Sequence, residues 1–197
     1  MVLPRRLQKI EKVVSQRQAG LAVVIEDIHD PHNAEAIFRT CDALGVQDVH
    51  LIFDKEPPWN PAKIGKKSSS SAHKWLTFHT YRSTKECLTE LKKKKYVIVA
   101  SSLHEKSISL LDAPLTSKKI ALLVGNEHRG LSETAISLSD VVVKIPMRGM
   151  VESLNVSVAT ALFLYEITRQ RFGKNVSLSS VEAHALVEDF TRRTRKR

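Results

Sequence analysis

IPMRGMVESLNVSVATALFLYEITRQR, residues 145–171, passes through three kinds of local order. It opens on the end of an apolar run, 141–145, that reads as a buried strand. A loop follows, with Pro146, Gly149 and small polar residues. From about Leu154, apolar residues recur at helical spacing: Ala159, Leu162, Phe163 and Ile167. Ser153 and Asn155 stand where that helix starts. The first N–H groups of a helix lack partners within it and carry partial positive charge. They therefore take a capping side chain or meet a ligand. By itself the stretch leaves both roles open for Ser153 and Asn155.

The chain before it alternates strands with helices. LAVVIED (21–27) reads as a strand, Pro31 as a corner, and 33–44 as a helix with Ile37, Phe38, Cys41 and Leu44 on its apolar stripe. Strands are expected at 48–53, 76–81, 96–101, 120–124 and 141–145. Helices are expected at 5–18, 83–93, 131–138 and 181–192. Residues 54–72, with three prolines and the serines 68–71, read as a long loop. Such alternation predicts an α/β fold with a mainly parallel sheet covered on both faces.

Composition narrows the function. The chain has 197 residues, 42% hydrophobic and 26% charged, as for one globular domain. Its formal charge of +10 points to a polyanionic partner. The positive residues are clustered: Arg5, Arg6, Lys9, Lys12 and Arg17 at the start, Lys92 to Lys95, and Arg192, Arg193, Arg195, Lys196 and Arg197 at the end. Two cysteines, Cys41 and Cys87, sit in unrelated contexts, so a reducing, cytoplasmic setting is expected and no cysteine metal site. No run is apolar and long enough to span a membrane, and no signal-peptide core opens the chain. With only seven glycines, no GxGxxG and no GxxxxGK[ST], a nucleotide-phosphate loop has no support.

In a parallel sheet, ligands lie beyond the carboxyl ends of the strands. Three polar clusters fall there: HDPHNAEAIFRT (29–40), GNEHRGLS (125–132) and the loop 146–155. In this order they resemble the three motifs of the TrmH branch of the SPOUT superfamily, the RNA ribose 2′-O-methyltransferases. NAEAIFR (33–39) matches the first motif, GNEHRGLS the second and IPMRGMVESLNVSVA (145–159) the third, with Glu152 where glutamine is more familiar. The resemblance covers nearly the whole chain.

That resemblance implies a Rossmann-like sheet with a C-terminal trefoil knot, flanked by N- and C-terminal helices. It divides the chain into a basic helix (1–18), a methyltransferase domain (19–173) and a C-terminal helix with a basic tail (174–197). It implies S-adenosylmethionine (SAM) as methyl donor, a homodimer, and methyl transfer to a tRNA ribose 2′-hydroxyl, with guanosine 18 of the D-loop as the expected position. Ribosomal RNA as substrate, or RNA binding without catalysis, are the alternatives. Arg39 is assigned the central role, framed by Asn33, Glu127, Ser153 and Asn155, with Glu127 able to accept from a guanidinium. Ser101, Gly125, Ile145 and Leu154 are expected around the cofactor, held largely by backbone groups. Arg5, Arg6, Lys9, Lys66, Arg192, Arg193 and Arg195 are expected to meet RNA, and no metal is expected.

Overall fold

The computed structural model describes residues 3–61 and 72–195. Its strands are β1 (Leu21–Glu26), β2 (Asp48–Ile52), β3 (Thr77–Tyr81), β4 (Val97–Ser101), β5 (Ile108–Ser109), β6 (Ile120–Val124) and β7 (Val141–Lys144). They form one sheet in the order β3-β2-β1-β6-β4-β7-β5, with every neighbouring pair parallel. The helices are α1 (Pro4–Ser15), α2 (Pro31–Ala43), α3 (Thr84–Lys93), α4 (Glu133–Ser137), α5 (Val156–Arg171) and α6 (Ser180–Arg195). β5 has two residues at the sheet edge, too few to leave a periodic signal.

β1 shows why the sheet is parallel. All six of its residues are buried, which requires cover on both faces. Side chains alternate across a strand, so Leu21, Val23 and Ile25 enter one core with Ile37, Phe38, Phe163 and Ile167 of α2 and α5. Ala22 and Val24 enter the other, with Cys87, Leu88 and Ala135 of α3 and α4. Removing a buried ring such as Phe163 would cost about 3–5 kcal/mol. The two cysteines are buried and unpaired. Burial raises both thiol pKa values, that of Cys87 to about 12.

Several expectations shift. α2 begins at Pro31, two residues early. Asp30 caps it by accepting from the His32 N–H at 2.9 Å, and proline suits the first helical position because its missing N–H would be unpaired anyway. Arg17 is buried, not part of the basic surface. It reaches the Asp42 carboxylate at 2.6 Å and the Val46 carbonyl at 2.9 Å, tying the end of α1's segment to α2. α6 runs on to Arg195, so Arg192, Arg193 and Arg195 lie on a helix rather than a tail. Asp189 pairs with Arg192 and Arg193 one turn on, which sustains that last turn. Leu162 faces outward instead of into the core. It shares an exposed stripe with Val158 and Tyr165 at 49%, 42% and 63% exposure for Val158, Leu162 and Tyr165 respectively.

α1 and α6 pack on each other through Ile10, Val14 and Phe190. The chain builds β1, β2 and β3 to one side and then crosses to β4 on the other. The change of direction leaves a crevice beyond the carboxyl ends of β1, β6 and β4, where ligands bind in such sheets. No described helix is long and apolar enough to cross a membrane.

Candidate active site

The three polar clusters meet at that crevice. Glu127, just past β6, accepts from the backbone N–H groups of His29 at 2.9 Å and Asp30 at 3.1 Å, and from Asn33 Nδ2 at 2.8 Å. Asn33 Oδ1 in turn accepts from Asn155 Nδ2 at 2.9 Å. One line of hydrogen bonds, Asn155 to Asn33 to Glu127, therefore joins segments far apart in sequence. Partial burial opposes ionisation of Glu127, but the bonds from Asn33, His29 and Asp30 outweigh it and hold the carboxyl below its ordinary value.

Asn155 takes the capping role. Its Oδ1 caps α5 by accepting from the Ser157 N–H at 2.9 Å, while its Nδ2 serves the chain just described. Asn33 is not a cap, because Asp30 takes that role. Ser153 lies exposed in the loop before Asn155.

Arg39 is exposed on α2, six residues after Asn33, and makes no hydrogen bond or ion pair among the described residues. The pairing with Glu127 open to it from sequence is not formed; Glu127 accepts instead from Asn33 and two backbone N–H groups.

A cavity of about 1430 Å³ opens beside this line. Ser101, Gly125, Ile145 and Leu154 all line it, as do Glu127, Ser153 and Asn155; Asn33 and Arg39 do not. No residue from 146 to 154 makes a backbone–backbone hydrogen bond among the described residues. At Gly125, a Cβ would lie 2.5 Å from the backbone of Gly130, so only glycine lets the 126–130 turn close on the strand end. Asn126 fastens that turn: Oδ1 accepts from His128 and Arg129, and Nδ2 donates to the Asp27 carbonyl at 2.7 Å.

Sequence reading missed the supports under these loops. Glu26, 2% exposed, accepts from Thr84 and from both the N–H and hydroxyl of Ser132. Asp27 sits in the left-handed region at φ 50°. Their only sequence signal is two acids ending an apolar strand. Among the expected RNA-binding residues, Arg5, Arg6 and Lys9 lie on exposed positions of α1, and Arg6 stacks over Trp75 at 5.4 Å. Arg193 donates to the carbonyls of Lys74 and Leu76 at 2.8 Å, while Arg192 is far more exposed. Lys66 lies outside the described residues. No group of three or more His, Cys, Asp or Glu arranged to hold a metal occurs among the described residues.

Comparison with known proteins places this geometry. Residues 20–165 match the model of the SpoU rRNA Methylase family. A protein of Thermus thermophilus named tRNA (guanosine(18)-2′-O)-methyltransferase is 40% identical over 84% of this chain and 83% of its own. An Aquifex aeolicus protein of the same name is 35% identical over 96% and 90%. The crystal structure of the A. aeolicus TrmH/SpoU tRNA modifying enzyme superposes with a TM-score of 0.84 at 33% identity, covering 98% of both chains. The SpoU methyltransferase AviRb from Streptomyces viridochromogenes, solved in complex with the cofactor AdoMet, gives a TM-score of 0.68 at 28% identity over 81% of this chain and 64% of its own. With its three motifs joined by hydrogen bonds at the carboxyl end of a parallel sheet, the chain belongs to the SpoU rRNA methylase family.

Proposed function

We propose that this chain transfers a methyl group from SAM to the ribose 2′-hydroxyl of guanosine 18 in tRNA, acting as a cytoplasmic homodimer. The observation that carries this reading is the hydrogen-bonded line from Asn155 through Asn33 to Glu127 beside a cavity, in a chain most of whose length aligns with proteins named for that reaction.

The cavity suits SAM. It exceeds the size of a small-molecule pocket, roughly 300–1,000 Å³, and pairs apolar walls at Ile145 and Leu154 with unpaired peptide groups along 146–154. Ser101, Gly125, Ile145 and Leu154 would hold the cofactor, which when bound supplies an electrophilic methyl group on a sulfonium sulfur. The chain's own residues orient the acceptor. A ribose hydroxyl is a poor nucleophile until its proton leaves. The Arg39 guanidinium grips the adjoining phosphate through a planar fork and orients the ribose hydroxyl, whose proton passes to solvent water as the methyl group is transferred. Ser153 and Asn155 offer donors and acceptors to the ribose. The unpaired stripe Val158, Leu162 and Tyr165 on α5 supports a second copy as its cover.

The test is incubation with isotopically labelled SAM and unmodified tRNA, followed by mapping of 2′-O-methyl positions. One methylated ribose at guanosine 18 is expected. Methylation of a base, or of ribosomal RNA fragments but not tRNA, overturns the reading. So does SAM binding without turnover on any RNA. Sedimentation should give about twice the chain mass of 22.1 kDa.

A further inference from the structure

Asp27 does more than end β1. It is 6% exposed and held at φ 50°, a conformation uncommon for any residue with a side chain, though Asp tolerates it better than most. Its carboxylate accepts from three successive backbone N–H groups: Asp54 at 2.8 Å, Lys55 at 2.9 Å and Glu56 at 3.1 Å. Its second oxygen also meets Lys55 at 3.1 Å. Its own N–H donates to the Ile52 carbonyl, and its carbonyl accepts from Asn126. A single residue thus joins β1, the segment after β2 and the turn of the second motif.

The clamped segment then reaches the site. Glu56, with a side chain 14% exposed, takes Arg129 at 2.7 Å on one oxygen and His29 Nδ1 at 3.2 Å on the other. His29 and Arg129 flank Glu127 in space: the first donates its N–H to that carboxylate, and the second follows it in the 126–130 turn. Farther along, Trp59 packs edge-on against Phe53 and contacts Phe38, the neighbour of Arg39. Residues 54–59 therefore bridge the first and second motifs.

We propose that Asp27 is a positioning residue for RNA: it fixes residues 54–56 so that Glu56 holds His29 and Arg129 in a preset arrangement for the ribose–phosphate backbone. The proposal rests on the methyl-transfer reading above. Asp27 touches neither the cavity nor Arg39. Its effect runs through the 54–56 backbone to His29, outside the cavity lining, and to Arg129, which is part of that lining. A preordered site spares the ordering cost at binding, so its loss appears in the affinity for RNA.

Asp27→Gly keeps the left-handed backbone without strain and deletes the carboxylate, while Glu56→Gln leaves the Asp27 clamp intact and weakens the next link. Steady-state methyl transfer with tRNA, calorimetry with SAM and amide hydrogen exchange read the two variants. Expected for Asp27→Gly is a KM for tRNA raised about tenfold, kcat within threefold, SAM affinity within twofold, and faster exchange at residues 54–56. Glu56→Gln should reproduce the KM effect with exchange at 54–56 unchanged. A parallel fall in kcat and SAM affinity, or a wild-type KM in either variant, overturns the proposal. If the wild type methylates no RNA, it is the parent reading that fails, and unaltered exchange at 54–56 in Asp27→Gly would then overturn the clamp independently.

Discussion

Asn33→Ala cuts the line that joins the three motifs, and its cost follows from two bonds. The bond to Glu127 Oε1, 2.8 Å, ends on a carboxylate, a kind that contributes about 1.5–3 kcal/mol. The bond from Asn155 Nδ2, 2.9 Å, joins two neutral amides and contributes about 0.5–1.5 kcal/mol. The site opens to water, which replaces part of both, so about 2 kcal/mol of orientation is lost. At about 1.4 kcal/mol per decade that is a fall of roughly 30-fold in kcat/KM. The assay is initial-rate methyl transfer with labelled SAM and tRNA, beside thermal unfolding to show that the fold survives. The pH profile gives a second readout. Asn33 helps keep the Glu127 carboxyl below its ordinary value. A group depressed on folding contributes stability above its unfolded pKa, which is lost as pH falls through the folded one. Without Asn33 the Glu127 pKa rises towards the ordinary value, and loss of activity on the acid side should start at higher pH. A double-mutant cycle with Asn155→Ala should show coupling, because the two side chains share a bond. A kcat/KM within threefold of wild type, with additive single and double variants, would refute the reasoning.

Arg39→Ala should abolish turnover yet leave SAM affinity within a few-fold, measured by calorimetry, and Arg39→Lys should not rescue it because an ammonium lacks the planar fork. Gly125→Ala places a methyl 2.5 Å from the Gly130 backbone, so thermal stability and SAM affinity should fall together. Burial first, and the neighbouring His79 second, lower the His50 pKa to about 4. The folded state resists protonating it, so stability should decline as pH drops from about 6.5 towards 4, and chemical denaturation of His50→Leu should show a shallower decline over that window. Lys9→Ala and Arg5→Ala, on exposed positions of α1, should each lower the slope of log tRNA affinity against log salt by about one. Arg193→Ala should instead lower the unfolding midpoint, since its guanidinium is held by the carbonyls of Lys74 and Leu76.

The sequence by itself determined the class of fold and the places where a site can form. Uniformly apolar strands such as 21–26 demand cover on both faces, and their alternation with amphipathic helices leaves a parallel sheet as the arrangement that provides it. Asn33, Glu127 and Asn155 fall in polar clusters beside strand or helix ends, and the resemblance of those clusters to the family's motifs is what singled them out. Only the tertiary structure decided which polar groups meet. Residues 33, 127 and 155 are joined by contacts spanning 94 and 122 positions, and no local pattern encodes such a pairing. The same holds for charge. Arg5 and Arg17 look alike in a basic segment, yet one is exposed and the other is buried against Asp42. Likewise, Val158 and Phe163 share an apolar helix, but one faces outward and the other the core. Asp27 went unnoticed for the same reason: its left-handed backbone and three backbone partners exist only once the segment after β2 lies against it. Local spacing sets which face of an element is apolar, whereas the partner of each buried charge is chosen by the packing of segments distant in sequence.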